Sequence, residues 1–155
     1  MVLIRIADFS KDTERTLSIF REYIESAPVS LDYQNNEQEF LTIAEKYSLP
    51  NGVVLLSEYH GEVVGCAAFR QVDASTCEMK RVYVRPSVRG QKTGEKLVKE
   101  LIKIAKSCCY QRMCLDVLAD FKTAKRLYES LGFRPCEPVS DNPMPGTSFL
   151  GLDLS

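Results

Sequence analysis

The chain has 155 residues, of which 45% are hydrophobic and 26% charged, with a formal net charge of −1. That length supports one domain with a substantial core, and the even charge balance excludes a non-specific nucleic-acid binder, which needs a basic excess. Apolar runs fall short of the roughly 18 residues that a membrane helix requires, and Arg5 and Asp8 interrupt the N-terminal MVLIRIADF, which reads as a first strand and not a signal peptide.

The six cysteines (66, 77, 108, 109, 114 and 136) lack the CxxC spacing of redox or zinc sites. Cys66, Cys77 and Cys114 fall in predicted strands, where a free thiol acts as a small hydrophobe. The expectation is a cytoplasmic protein with reduced thiols. Cys108-Cys109 sits at a helix end, where a thiol is either packed or exposed to oxidation.

Leu3 to Ala7 reads as a short strand, broken by Asp8 and Ser10. Asp12 or Thr13 caps a helix whose face carries Thr16, Leu17, Phe20 and Ile24, ending before Pro28. Val29 to Asn36 is either a plain connector or, through Tyr33 and Gln34, part of a substrate pocket. A second helix is predicted from about Glu37 to Tyr47, with Phe40, Leu41, Ala44 and Tyr47 as its apolar stripe; Pro50-Asn51-Gly52 stops it.

Val53 to Glu58 and Glu62 to Phe69 form a hairpin through His60-Gly61. His60 is the sole histidine, which excludes a His-based catalytic pair and a multi-His metal site. Asp73 to Thr76 turns into a third strand, so these three strands form an antiparallel meander. That strand, Cys77 to Val84, ends at Arg85-Pro86. The loop Arg89-Gly90-Gln91-Lys92-Thr93-Gly94 follows, and then a helix whose buried face is Leu97, Val98, Leu101, Ile102, Ile104 and Ala105. A strand, a basic glycine loop and a helix start make a phosphate site, because free N–H groups and the positive end of the helix dipole meet an anion there.

Arg112 to Leu118 is the next strand, and a strand–helix–strand connection makes it parallel to the Cys77 strand and right-handed. A helix from Asp120 to Leu131 ends on Gly132, suited to a left-handed cap. A strand starts in Phe133 to Pro138, a Pro-rich loop spans Ser140 to Gly146, and Thr147 to Leu154 closes the sheet. The fold class is α/β with a mixed sheet.

The stretch EMKRVYVRPSVRGQKTGEKLV followed by AKRLYESLGF resembles the GNAT N-acetyltransferase superfamily: strand, Arg/Gln-x-x-Gly-x-Gly/Ala loop, helix, strand, then a helix ending Tyr-x-x-x-Gly-Phe, here Tyr128, Gly132 and Phe133. The segment Asp141-Asn142-Pro143-Met144-Pro145-Gly146-Thr147 is similar to one in a bacterial subgroup of that family. The resemblance implies one domain over residues 1–155, ordered strand, two helices, three strands, helix, strand, helix and two strands. The central sheet is then mostly antiparallel, with the parallel fourth and fifth strands splayed around acetyl-CoA. It implies that Val82, Tyr83 and Val84 pair with the pantetheine arm and that Arg89, Gly90, Gln91, Lys92, Thr93 and Gly94 receive the pyrophosphate; Phe121 and Ala124 join the cofactor site. Lys92 stands where the family has its first loop glycine, and Phe121 where it often has Asn.

For catalysis the resemblance implies Tyr128 as general acid for the departing thiolate; the alternative is an aromatic packing the helix on the sheet. Glu78 is either a general base acting through water or a strand carboxylate paired with Arg70 or Lys80. Phe69, Arg70, Asp141 and Asn142, with Tyr33 and Gln34, are the candidate acceptor residues. Arg70, Lys80 and Arg81 favour an acceptor bearing a carboxylate. The expected activity is acetyl transfer to the amine of a small molecule or peptide, the alternative being a CoA-binding regulatory or partner protein without transferase activity. A homodimer through the late strands is common in such folds.

Overall fold

The computed structural model describes residues 2–27 and 36–155. Seven strands form one sheet in the order β1-β2-β3-β4-β5-β7-β6. The elements in chain order are β1 (Leu3–Ile6), α1 (Thr13–Ser26), α2 (Asn36–Leu41), α3 (Ile43–Lys46), β2 (Gly52–Tyr59), β3 (Glu62–Gln71), β4 (Thr76–Val84), α4 (Thr93–Ser107), β5 (Arg112–Val117), α5 (Lys122–Ser130), β6 (Arg134–Pro135) and β7 (Ser148–Asp153). Strands β1 to β4 are antiparallel neighbours, β4 and β5 are parallel, and β7 runs antiparallel to both β5 and β6. The expected meander and the parallel crossover are both present. No described helix is long and apolar enough to cross a membrane.

The sheet is covered on both faces, so β2 and β3 are buried along most of their length and carry little alternation. On one face α4 and α5 bury Leu97, Val98, Leu101, Ala105 and Tyr128 against Val53, Leu55, Phe69, Met79 and Met113. On the other, Ile19 and Phe20 of α1 meet Phe40, Ile43 and Tyr47 over Val54, Leu56, Cys66 and Ala68.

Several sequence expectations shift. The helix expected from Glu37 to Tyr47 is broken at Thr42 into α2 and α3, so the apolar stripe changes register. Ile43 is buried, whereas Leu41 is 83% exposed and Ala44 also faces solvent. Ile19, omitted from the expected face of α1, is buried, while Leu17 and Ile24 are only half-buried. Asp12 stands at the N-cap of α1 without capping it. Its carboxylate instead accepts both terminal nitrogens of Arg5, at 2.6 and 2.9 Å, and the backbone N–H of Asp8. The Arg5 guanidinium therefore holds the Asp12 carboxyl well below the usual range. The last helix ends as expected: Gly132 has φ 103, a left-handed conformation that costs glycine little.

Candidate active site

Strands β4 and β5 are paired only from Thr76↔Arg112 to Glu78↔Cys114, after which they separate. Beyond that rung the β5-facing edge of β4 is open, and a cleft of about 740 Å³ lies between the strands. Met79 to Val84 form one wall, Leu115 to Val117 the other, and Tyr23 and Ser26 of α1 contribute from one side.

A β-bulge shapes the β4 wall. Cys66 pairs with Tyr83 and Ala68 with Lys80, so Ala67 stands opposite an extra residue. Arg81 takes up the excess at φ 59, and the Cys66 thiol donates to its carbonyl at 3.1 Å. Alternation therefore reverses: Glu78 and Lys80 share a face with Arg81 and Tyr83, while Val82 and Val84 pack toward α4 and α5. Tyr83 lines the cleft with its hydroxyl turned to α1, where it donates to Glu22 at 2.8 Å. Burial, then that carboxylate, pushes the phenol up to about 12.

The start of α4 closes one end of the cleft. Lys92 is its N-cap, in the left-handed conformation (φ 58, ψ 26), and makes no side-chain cap. The first intrahelical bond runs from Lys96 N–H to the Lys92 carbonyl, so the N–H groups of Thr93, Gly94 and Glu95 precede it without helical partners. The Thr93 hydroxyl is buried and unpartnered, and Thr93 lines the cleft. Arg89, Gly90, Lys92 and Gly94 line it as well, with Lys122 across the mouth; the exposed Gln91 does not. Phe121 and Ala124, at the start of α5, complete that wall.

Tyr128 projects from α5 into the same cleft, its ring 5.9 Å from that of Phe133. It is 6% exposed, and its hydroxyl makes no hydrogen bond among the described residues. Burial raises its phenol above the usual tyrosine range, so it stays protonated.

A second cavity of about 440 Å³ is lined by Gln38, Glu39, Thr42 and Lys46 of the α2–α3 segment, Arg70, Glu78, Lys80 and Asp116 of the sheet, and Ser140 with Asp141 of the late loop. Lys80 and Asp116 line both cavities. Glu78 is buried, with one oxygen 2.8 Å from Arg70 and the other accepting the Ser140 hydroxyl at 2.8 Å. Glu39 gathers Arg81, Lys46 and Lys80 at 2.8, 2.8 and 3.9 Å, and accepts the Tyr47 hydroxyl. Burial pulls the Lys80 ammonium down to about 8 against the attraction of Glu39.

Of the expected acceptor residues, Arg70 and Asp141 line this second cavity. Asn142 stands behind it, donating to Asp116 at 2.9 Å. Phe69 is a correction: it is fully buried against Tyr110 in the core beneath α4, because its strand position turns the ring away from both cavities. Arg81 is also committed elsewhere, buried against Glu39 and Asn36. Tyr33 and Gln34 lie outside the described residues. Asp116 and Glu39 were missed. An ionisable residue inside the apolar strand RMCLDVL was a readable signal for Asp116; Glu39 carried none.

The splayed parallel pair, with an uncapped helix start at one end, fits an extended ligand carrying phosphates. It defines an acyl-transfer type of site. The chain matches the acetyltransferase (GNAT) family over residues 16–133. An uncharacterized N-acetyltransferase of Schizosaccharomyces pombe is 35% identical over 99% of this chain and 96% of its own. The fold is similar to a GNAT acetyltransferase of Staphylococcus aureus, with TM-score 0.80 and 20% identity over the whole of both chains. It is also similar to the acetyltransferase YncA of Salmonella typhimurium, solved with acetyl-CoA, with TM-score 0.74 and 25% identity over 100% of this chain and 95% of that one. The chain belongs to the GNAT family of acetyltransferases, whose members use acetyl-CoA.

Proposed function

We propose that this protein transfers the acetyl group of acetyl-CoA directly to the amine of a small molecule or peptide, as a single domain spanning the chain. The observation that carries this reading is the opening of β4 from β5 beside the uncapped start of α4. When bound, acetyl-CoA supplies an activated thioester. The N–H groups of Thr93, Gly94 and Glu95, the orphaned Thr93 hydroxyl and the Arg89, Lys92 and Lys122 cations hold its phosphates. The open edge of Val82 to Val84 pairs with the pantetheine amides as an added strand does. A backbone N–H near the bulge at Arg81–Val82 polarises the reacting carbonyl. Tyr128, protonated and aimed into the cleft, protonates the departing thiolate.

The second cavity receives the acceptor, since Lys80 and Asp116 join it to the cleft. Its mixture of cations and carboxylates suits a small polar amine that carries an acidic group. Glu78 has both oxygens engaged and serves to hold Arg70 in the cavity wall.

The test is calorimetric titration with CoA, followed by thiol release from acetyl-CoA across a panel of free L-amino acids, short peptides and primary amines. CoA binding with acetylation of panel members is the expected result. Binding of CoA without turnover of any amine would overturn the transferase reading of the second cavity.

A further inference from the structure

We propose that Asp116 anchors the acceptor's ammonium at the junction of the two cavities and takes its proton before transfer. This rests on the reading of the cleft as the acetyl-CoA site and of the second cavity as the acceptor site.

The first argument is position. The last paired rung of the parallel strands is Glu78↔Cys114. Lys80 and Asp116 each follow it by two residues, so both keep the face of that rung and flank the point where the sheet splits. They are the two residues common to the linings of both cavities, and Asp116 is the carboxylate of that pair. An amine bound on it faces the acetyl-CoA cleft and remains in the acceptor cavity.

The second argument is vacancy. The other carboxylates at this junction are already matched: Glu39 by Arg81, Lys46 and Lys80, and Glu78 by Arg70 and Ser140. Asp116 has no ion pair among the described residues; the Asn142 side-chain amide donates to its Oδ2 at 2.9 Å. That neutral contact orients the carboxylate and brings it no counter-charge.

The third argument is proton affinity. The groups facing Asp116 are Glu78 and Lys80 from β4, Arg70 from β3, Glu39 and Lys46 from the α2–α3 segment, and Asn142 and Asp141 from the late loop. Burial raises the Asp116 carboxyl, Glu78 raises it further, and Asn142 and Lys80 act in the opposite sense. A carboxylate raised toward the working pH is a better proton acceptor than a fully solvated one.

The ammonium gives its first proton to Asp116, and the freed nitrogen bonds to the thioester carbonyl carbon. The C–S bond breaks with its electron pair on sulfur, and the second nitrogen proton ends on the thiol, relayed by Tyr128. Asp116 then releases its proton to solvent through the second cavity.

The experiment compares wild type, Asp116→Asn, Asp116→Glu and Glu78→Gln, using the amino acids and amines that wild type acetylates. It records the pH profile of kcat/KM and the Kd for CoA. Asp116→Asn is expected to lose about 100-fold or more in kcat/KM near neutral pH, with the loss shrinking as the pH approaches the amine's own pKa, and with CoA affinity unchanged. Asp116→Glu restores part of the rate. Glu78→Gln keeps an acidic limb, moved to lower pH because the charge that raises Asp116 is gone, whatever its absolute rate. An Asp116→Asn enzyme with the wild-type acidic limb and a rate within threefold of wild type would overturn the assignment. Loss of that limb in Glu78→Gln would transfer the role to Glu78 and overturn it equally. Should Asp116→Asn fail to fold, the Asp116→Glu profile decides: an unmoved limb at unchanged rate overturns it. Absence of any acetylation by wild type would instead bring down the acceptor reading beneath it.

Discussion

The Arg81 guanidinium lies 2.8 Å from the Glu39 carboxylate, with both side chains buried, and this pair joins the bulge of β4 to α2. The bulge turns Arg81 toward the helices, and α2 presents Glu39 to it, also bringing Lys46 within 2.8 Å of the same carboxylate. One ion-pair cluster thereby sets the wall of the second cavity.

Glu39→Gln should cost about 3 kcal/mol at neutral pH, because it takes a carboxylate away from the buried Arg81 guanidinium. Burial acts to raise the Glu39 carboxyl, but Arg81, Lys80 and Lys46 outweigh it and lower it from 4.5 to about 2. Since the folded value lies below the unfolded one, this contribution is complete above about pH 4.5 and is lost as pH falls through about 2. Urea denaturation of both proteins across that window should show the stability gap closing. A constant gap would contradict the origin assigned to it.

Lys92→Gly removes a left-handed lysine at the N-cap of α4 and should stabilise the protein by about 1 kcal/mol. It also removes a cation from the phosphate end, so CoA should bind about fivefold more weakly, with a shallower salt dependence. Thermal melts and calorimetry at two ionic strengths measure the two effects separately. Unchanged affinity and salt slope would show that Lys92 makes no phosphate contact.

Tyr128→Phe should lower kcat by about 100-fold while leaving the Kd for CoA within a factor of two. The expected loss sits at the low end for general acids because a thiol of ordinary pKa, about 8.5, already leaves readily. Pre-steady-state thiol release locates the effect at bond cleavage. Full turnover by the Phe enzyme would reduce Tyr128 to a packing aromatic.

Phe69→Leu should destabilise the core by about 1–2 kcal/mol with no change in acceptor KM, since the ring packs edge-on against Tyr110 and touches neither cavity. Arg70→Ala, one residue along, should raise acceptor KM, because Arg70 lines the second cavity. Steady-state kinetics on the pair of variants separates the two faces of β3.

Much of the cofactor side was legible because its signals are local. A strand stopped by Arg85-Pro86, a basic glycine loop and an amphipathic helix occupy one continuous stretch, and each is set by its own side chains and backbone preferences. The acceptor side was hardly legible. Its walls come from α2, β3, β4, β5 and the late loop, so Glu39, Arg70, Lys80, Asp116 and Ser140 meet only once the sheet has formed. Phe69 and Arg70 show the difficulty: neighbours in sequence, one enters the core and the other the cavity, and only the covering layers decide which face is which.

Hydrophobic period and glycine or proline punctuation sufficed for the mixed α/β class, the meander, the parallel crossover and the glycine loop ahead of α4. Tertiary structure alone decided where β4 and β5 part, the bulge that reverses β4 at Arg81, and the partners of each buried charge. The physical reason is that a carboxylate's role depends on the cations and dielectric around it. Glu39 and Glu78 are held by such cations, whereas Asp116 meets the neutral Asn142 amide.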